Sequence, residues 1–137
     1  MPPAVGEPLL RDHLGIEVPS AAPSRVTAWI PVYGSRQPRG LLAHGASCMP
    51  AESIASLAAN LCAAELGATA AGLELNTTRH RSVRDGSVTA VAAAIRLGRP
   101  VASYDVGEQV CTARVTCLID TPEMPSSAPD VPSETPR

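Results

Sequence analysis

The run from about Ala46 to Leu66 restricts the fold of this chain more than any other part of the sequence. Alanine is its most frequent residue, and Ile54, Leu57 and Leu61 recur at the spacing of one helical face. A helix with this composition is apolar on nearly every side, so no face of it is suited to water. We therefore expect other segments of the chain to wrap around it.

The segments that flank this helix predict strands, several of which alternate apolar and polar residues. The final strand is the clearest, since Cys111, Val115 and Ile119 face one way while Thr112 and Arg114 face the other. One wrapped helix among antiparallel strands predicts an α+β fold in which the sheet curls around the helix. The full prediction is a short helix at 8–15 that ends at Gly15, the central helix at 46–66, and strands at 16–18, 25–33, 68–79, 86–97, 100–106 and 109–119.

Length and composition bound the class of protein. The 137 residues suit one domain, and a net charge of −2 gives no electrostatic reason to bind nucleic acid or an anionic membrane. No run has transmembrane length, and the N-terminus lacks the basic and apolar regions of a signal peptide. The four cysteines lack metal-binding spacing, so we expect buried free thiols, no bound metal and a cytoplasmic location. With no Phe and one Trp, the core must consist of Ala, Val, Leu and Ile.

The C-terminal residues differ in composition from the rest of the chain. Residues 121–137 read TPEMPSSAPDVPSETPR, which is rich in proline and serine and has almost nothing to bury. Such a segment cannot offset the entropy of ordering, so we expect it to be disordered and dispensable for folding. The sequence therefore predicts one folded domain over residues 1–120 and a disordered tail over residues 121–137.

A polar stripe runs along the otherwise apolar helix. Glu52, Ser56 and Asn60 are spaced at i, i+4 and i+8, which places their side chains on one face. A carboxylate in such apolar surroundings is costly unless it has a partner or a chemical role. The stripe therefore indicates a site, although a glutamate near a helix start can also serve only as a cap.

Four segments, in order along the chain, resemble the motifs of a known family, the hotdog-fold acyl-CoA thioesterases of the PaaI type. The segments are RQPRGLLAHGAS (36–47), AESIAS (51–56), GLELNTTRHRSVRDG (72–86) and LGR (97–99), and the resemblance covers about residues 8–119. The chain is most similar to the aryl-CoA branch, which includes 4-hydroxybenzoyl-CoA, 1,4-dihydroxy-2-naphthoyl-CoA and enterobactin-pathway proofreading thioesterases. The resemblance implies a hotdog fold, in which a curled antiparallel β-sheet is wrapped around one long central helix.

The resemblance also implies the roles of five residues. Glu52 would be the nucleophile or general base, and Ser56, one turn later, would orient a water molecule or the carboxylate. Gln37 would help to polarise the thioester carbonyl. The backbone N–H groups of His44 and Gly45, at the start of the helix, would act as oxyanion donors. Physical chemistry agrees with this last role, because unpaired N–H groups and the helix dipole favour negative charge there.

The sequence departs from the family pattern at two places. The spacing from Gln37 to Glu52 matches without a gap, so the family's histidine position falls on Ala43, and the histidine comes one residue later, at His44. A backbone oxyanion donor survives this change, whereas the role of the histidine side chain does not follow automatically. Arg79 also stands where family members often have histidine.

The implied substrate is an acyl-CoA, or an acyl group on the phosphopantetheine arm of a carrier protein, with an aryl or compact acyl group. Coenzyme A is then part of the substrate, and no metal or redox cofactor is implied. Arg81, Arg84 and Arg99 are candidates to bind the coenzyme A phosphates, although a solvated face also explains them. Because the family builds its site between two subunits, a homodimer or homotetramer is expected.

Other interpretations stay open at this stage. Gln37 in a loop is commonly just solvated, and Ser56 in an alanine-rich helix is commonly a small packing residue. The rival from another class is a hotdog protein that binds acyl thioesters without efficient turnover, because Ala43 occupies the histidine position. A hydratase on the same fold is less favoured, since we find no Asp/His hydratase signature.

Overall fold

The computed structural model describes residues 5–120. The predicted tail at 121–137 lies outside these residues, as do residues 1–4, so the predicted boundary at residue 120 stays a prediction. The elements are α1 (Leu10–His13), β1 (Glu17–Ala22), β2 (Arg25–Pro31), α2 (His44–Ala64), β3 (Thr69–Arg79), β4 (Ser87–Leu97), β5 (Val101–Glu108) and β6 (Cys111–Asp120). The predicted number and order of elements are confirmed.

Six antiparallel strands form one sheet, in the order β1-β2-β4-β5-β6-β3. The helix α2 lies against this sheet and contacts every one of its strands. The predicted α+β architecture, in which the sheet curls around one long helix, is confirmed. The strand that follows α2 in the chain, β3, lies at the far edge of the sheet beside β6.

Small side chains allow α2 to be enclosed. Of its 21 residues, only Gly45 and Ala64 are exposed. Alanine side chains let the strands approach the helix closely, so the interior is filled without large aromatic residues. The fully buried alanines of the helix are Ala51, Ala55, Ala58, Ala59 and Ala63. Among residues 5–120, no helix is long and apolar enough to cross a membrane.

One large side chain in the core was not expected. Tyr104 on β5 is the largest fully buried side chain, although the composition predicted a core of Ala, Val, Leu and Ile. Its hydroxyl group donates a hydrogen bond of 2.9 Å to the carbonyl of Pro23. This bond satisfies the only polar group of the side chain, which is why a tyrosine is tolerated there.

The first hairpin differs most from its prediction. The segment PSAAPS (19–24) was expected to be a turn, but β1 continues to Ala22 and only Pro23 and Ser24 connect it to β2. Ser20 and Ala22 both pair with β2. Pairing with a neighbouring strand outweighs the weak intrinsic preference of these residues for strand structure.

The last strand, β6, follows the predicted alternation. Cys111, Val115 and Ile119 are buried, while Thr112 and Arg114 are exposed. All four cysteines are free thiols, as predicted, and the two on β6 are fully buried. Cys48 and Cys62 on α2 are only half-buried, so the expected burial is wrong for these two.

The edge strand β3 has two features that position the site. A β-bulge between Gly72 and Glu74 shifts its register against β6, so Leu73 is an extra residue, and it is 59% exposed. On its other side, β3 has no strand neighbour among residues 5–120. An edge of 11 residues therefore presents backbone N–H and C=O groups that can pair with another chain.

Candidate active site

Glu52 and Ser56 form the polar pair of α2. The Ser56 hydroxyl group donates a hydrogen bond of 2.9 Å to Oε1 of Glu52, and both side chains are half-buried. The two residues are one helical turn apart, so the helix itself aligns them. The bond fixes the direction of the carboxylate, which matches the orienting role that the sequence implied for Ser56.

Asn60, the third residue of the stripe, has a structural role. Its side-chain amide donates to the carbonyls of Ser56 and Ala70, at 2.9 and 3.1 Å. Its Oδ1 accepts a hydrogen bond of 2.9 Å from the N–H of Ala70. These bonds fasten α2 to the start of β3, so Asn60 holds the strand in place over the carboxylate and is not available to a substrate.

Gly72 lies directly over the carboxylate. A Cβ atom built at this position would be 3.2 Å from Oε1 of Glu52 and 3.7 Å from Oγ of Ser56. A cavity of about 220 Å³ opens at this point, and its lining residues are Glu52, Gly72, Leu73, Glu74, Leu75 and Val115. The sequence analysis assigned no role to Gly72, although a glycine inside a strand is a known sign of a bulge or a close approach.

Gln37 lies in a tight loop before the helix. Its backbone N–H donates to the carbonyl of Leu41 at 2.7 Å, and its carbonyl accepts from the N–H of Gly40 at 2.9 Å. The side-chain Oε1 accepts a hydrogen bond from the N–H of Arg39. Oε1 is thus already occupied as an acceptor. The side-chain NH₂ group is the donor that Gln37 can offer to a ligand.

The start of α2 carries free backbone donors. Ala43 is the N-cap residue and has no side-chain oxygen to cap the helix. The first N–H groups of a helix have no carbonyl one turn earlier, so those of His44 and Gly45 have no partner within the helix. No other atom lies within 4 Å of a Cβ built on Gly45, so the space beside it is open. The Nδ1 atom of His44 is buried and has no hydrogen-bond partner among residues 5–120.

Arg79 holds the turn that leads into the helix. Its Nη2 donates a hydrogen bond of 2.6 Å to the carbonyl of Leu42. The N–H groups of Leu42 and Ala43 donate to the carbonyls of Val83 and Ser35, each at 2.9 Å. The arginine at a position where the resembling family often has histidine thus supports the start of α2, a role that the sequence analysis did not find.

One chain carries two separate groups of site residues. His44 and Glu52 are eight residues apart on the same helix, which corresponds to about 12 Å along its axis. We call Gln37, His44 and Gly45 the loop half-site, and Glu52 and Ser56 the glutamate half-site. The structure joins Glu52 and Ser56 by a hydrogen bond, and it places Gln37 in the loop that leads to His44 and Gly45. The start of the helix and Glu52 remain apart within a single chain.

The three candidate phosphate-binding arginines do not form one group within the chain. Arg81 and Arg84 precede β4, whereas Arg99 follows its other end, and an 11-residue strand spans about 35 Å. Arg36 donates to the carbonyl of Arg84 at 2.9 Å and pairs with Asp85 at 3.1 Å, which ties the two loops together. A role of these arginines in binding the coenzyme A phosphates stays a prediction, in which Arg99 would act apart from Arg81 and Arg84.

Comparison with proteins of known sequence identifies the class. PA1618 of Pseudomonas aeruginosa is 40% identical over 115 residues, which covers 79% of this chain and 79% of PA1618. The proofreading thioesterase EntH of Cronobacter turicensis is 32% identical over 117 residues, which covers 80% of this chain and 85% of EntH. No family model matches the chain.

Solved structures agree with the sequence relatives. Thioesterase HI1161 of Haemophilus influenzae has a TM-score of 0.76 at 36% identity, covering 81% of this chain and 82% of that one. A mutant of thioesterase PA1618 has the same TM-score at 37% identity, covering 81% and 85%. The sheet wrapped around one helix is the hotdog fold, and the protein is a thioester hydrolase. It belongs to the family of hotdog-fold thioesterases that includes PA1618, HI1161 and EntH.

A second group of titratable side chains comes from the end of β5, the start of β6 and the first turns of α2, and its members are partly or fully buried. Burial raises the pKa of Glu108 to about 7, although Glu108 accepts a hydrogen bond of 2.7 Å from the Cys111 thiol. Burial, and then the hydrogen bond and negative charge of Glu108, raise the pKa of Cys111 to about 12. The pKa of Cys48 is also raised, first by burial and then by the negative charge of Glu108.

The raised pKa of Glu108 predicts how stability depends on pH. Between about pH 4.5 and pH 7 the folded protein binds more protons than the unfolded chain, so stability falls as pH rises through this window. Glu108→Gln removes the ionisation and should raise the melting temperature by several degrees at about pH 8, with little gain at about pH 5. Thermal denaturation of both proteins at the two pH values measures this.

Glu17→Gln is the matched control, because Glu17 is an exposed carboxylate on β1. Its substitution should leave the pH dependence of the melting temperature unchanged. An equal gain for Glu108→Gln at both pH values would contradict the assignment of the titration to Glu108.

Proposed function

We propose that the protein hydrolyses acyl-CoA, or an acyl group on a carrier protein's phosphopantetheine arm, and that the acyl group is aryl or otherwise compact. The observation that carries this proposal is the Glu52 carboxylate, held by Ser56 at 2.9 Å and facing a small open cavity. The proposal places the protein in the PaaI-type, aryl-CoA branch of its family. We expect a cytoplasmic enzyme, in keeping with its four free thiols.

The size of the cavity supports a compact acyl group. Its volume of about 220 Å³ is below the range of roughly 300–1,000 Å³ that is usual for drug-sized ligands. Leu73, Leu75 and Val115 supply apolar walls next to the carboxylate. A ring or a short chain fits the part of this space that one chain forms, and the second subunit of the proposed dimer would bound the rest.

The spacing of Gln37 and Glu52 supports their proposed roles. Two solved mutants of SAV0944 from Staphylococcus aureus, one described as a thioesterase, have alanine in place of a glutamine and of a glutamate. Those two positions are separated by 15 residues, as are Gln37 and Glu52 here. The two SAV0944 structures have TM-scores of 0.74 and 0.75 at 27% and 28% identity.

In the proposed reaction, the amide of Gln37 and the N–H groups of His44 and Gly45 donate to the thioester carbonyl oxygen and stabilise its developing negative charge. Glu52 takes a proton from a water molecule that attacks the carbonyl carbon, or attacks it directly to form an anhydride that water then hydrolyses. In either case the C–S bond breaks, and its electron pair leaves with the sulfur. The thiolate then takes up a proton, and the free acid departs.

Pairing of β3 with a second copy of the chain would complete the site. Two identical strands related by a two-fold axis are antiparallel, so the start of one lies beside the end of the other. Gly72, over the glutamate half-site, is near the start of β3, and Arg79, which supports the loop half-site, is at its end. We therefore propose that each active site combines the glutamate half-site of one subunit with the loop half-site of the other.

Substitution of Glu52 tests the mechanism. Glu52→Ala should lower kcat by about 100-fold or more, since general-base catalysis alone contributes roughly 10²–10⁴. Its Kd for the substrate should change far less, because coenzyme A binds mainly through groups remote from the reacting carbon. Thiol release from a panel of acyl-CoA thioesters that includes 4-hydroxybenzoyl-CoA measures kcat. Glu65→Ala, an exposed glutamate at the other end of the helix, is the matched control.

His44→Ala separates the backbone donor from the histidine side chain. If only the N–H at position 44 acts, this variant keeps most of its activity. A folded Glu52→Ala variant with wild-type turnover on the best substrate would show that the proposed mechanism is wrong. Slow turnover of every thioester by the wild-type protein, together with tight binding, would favour the rival role of a thioester-binding protein.

The proposed shared site predicts at least a homodimer, with a dimer of dimers as the larger assembly. Leu73→Lys places a charge on the open edge of β3 and should shift the protein towards monomer, with a matching loss of activity. Light scattering at micromolar concentration measures the assembly. Ile95→Lys is the control, because Ile95 is another exposed apolar strand residue, at 50%, on β4. A wild-type monomer that is fully active would exclude the shared site.

A further inference from the structure

We infer that Gly72 leaves free the space beside the Glu52 carboxylate in which the reaction takes place, which we call the reaction space. The reacting atom lies where the Cβ atom of any other residue at position 72 would be. The reacting atom is the thioester carbonyl carbon or the attacking water. This inference rests on the proposed function and assigns to Gly72 a role in catalysis that the motif resemblance did not give.

The distances support this role. A Cβ atom at position 72 would be 3.2 Å from Oε1 of Glu52, within the separation of about 3–3.5 Å between reacting atoms in a near-attack geometry. The same point is 3.7 Å from Oγ of Ser56. An atom at this point therefore contacts the carboxylate and lies against the hydroxyl group that orients it.

The backbone does not explain why this residue is a glycine. Six other glycines of the described chain have a positive φ angle, but Gly72 does not, so its conformation suits any residue. A glycine inside a strand also destabilises it relative to alanine. The contact with Glu52 is the remaining reason for the absence of a side chain at this position.

The surrounding bonds oppose a movement of β3 away from the carboxylate. Asn60 holds Ala70 by two hydrogen bonds, two residues before Gly72. Gly72 is also in register with Cys117 of β6, immediately before the bulge. A methyl group at position 72 would therefore occupy the reaction space or displace the carboxylate.

This geometry predicts which substrates Gly72→Ala affects. Because the methyl group would conflict with the reacting atom itself, kcat should fall at least about 10-fold for both acetyl-CoA and 4-hydroxybenzoyl-CoA. A residue that only shaped the acyl pocket would instead impair the larger acyl group and leave the smaller one unaffected. Steady-state kinetics with both thioesters distinguish the two roles, and the Kd for coenzyme A should stay unchanged in either case.

Gly107→Ala is the matched control. Gly107 lies on β5, has no positive φ angle, and has no atom within 4 Å of a built Cβ. Gly107→Ala should keep the wild-type melting temperature or exceed it, because alanine is favoured over glycine in a strand. Gly72→Ala should stay folded, because the carboxylate needs to shift by only a few tenths of an ångström to relieve the contact. Only Gly72→Ala should lose activity.

A double-mutant cycle distinguishes a direct conflict between the residue 72 side chain and the Glu52 carboxylate from a general structural effect. Glu52→Asp retracts the carboxylate by one methylene, so Gly72→Ala should reduce activity by a smaller factor in this background than in the wild type. Equal factors in both backgrounds would overturn the inference, as would an effect confined to the melting temperature or dimerisation. If Gly72→Ala is fully active while Glu52→Ala is inactive, the inference fails and the proposed function stands; if both are fully active, the proposed function fails.

Discussion

The enclosure of α2 by the sheet is the constraint on which the rest of the structure depends. Because nearly every face of the helix is covered, the polar side chains next to β3 take their partners from the helix or from that strand. Asn60 bonds to the backbone of Ala70, and Ser56 bonds to Glu52. The carboxylate is thereby held rigidly next to β3, the strand at which the sheet ends.

The same enclosure explains why the site lies at an edge. Six strands wrap the helix but leave β3 with one free side, so the space next to this strand is where a carboxylate on a buried helix can meet a ligand. An open strand edge can pair with other chains and cause aggregation unless it is covered. In the proposed dimer, pairing with a second subunit would cover the edge and, by the antiparallel geometry of a two-fold pair, would bring the loop half-site to the glutamate half-site.

The sequence predicted the features that depend on local periodicity and missed those that depend on contacts across the fold. The spacing of Ile54, Leu57 and Leu61 predicted the enclosed helix, and the alternation of β6 predicted its buried face. The position of Gln37 came from the motif resemblance, whereas the periodic polar stripe had already indicated Glu52. The first hairpin was missed because strand pairing overrode composition, as noted for β1.

Two contacts near the site show why the geometry of the site could not be predicted from the sequence alone. Nothing local to Gly72 indicates that it faces Glu52, which is 20 residues away and on another element. Nothing local to Arg79 indicates that it bonds to Leu42. Both contacts exist because β3 packs along α2. The residue pattern of each element predicts the element itself, but it does not predict how the two pack against each other. The separation of Arg99 from Arg81 and Arg84 by the length of β4 is likewise a feature of the fold that the motif pattern does not contain.

The displaced histidine can be understood in these terms. A backbone N–H donor is independent of its own side chain, but it depends strictly on where the turn before the helix lies. In this chain three hydrogen bonds fix that turn, from Arg79 to Leu42, from Leu42 to Val83 and from Ala43 to Ser35. A histidine can therefore move by one position without loss of the donor, provided that these bonds remain. In the proposed mechanism, the support of this turn is thus the element most closely coupled to catalysis at this end of the site, and Arg79 is the side chain that supplies it.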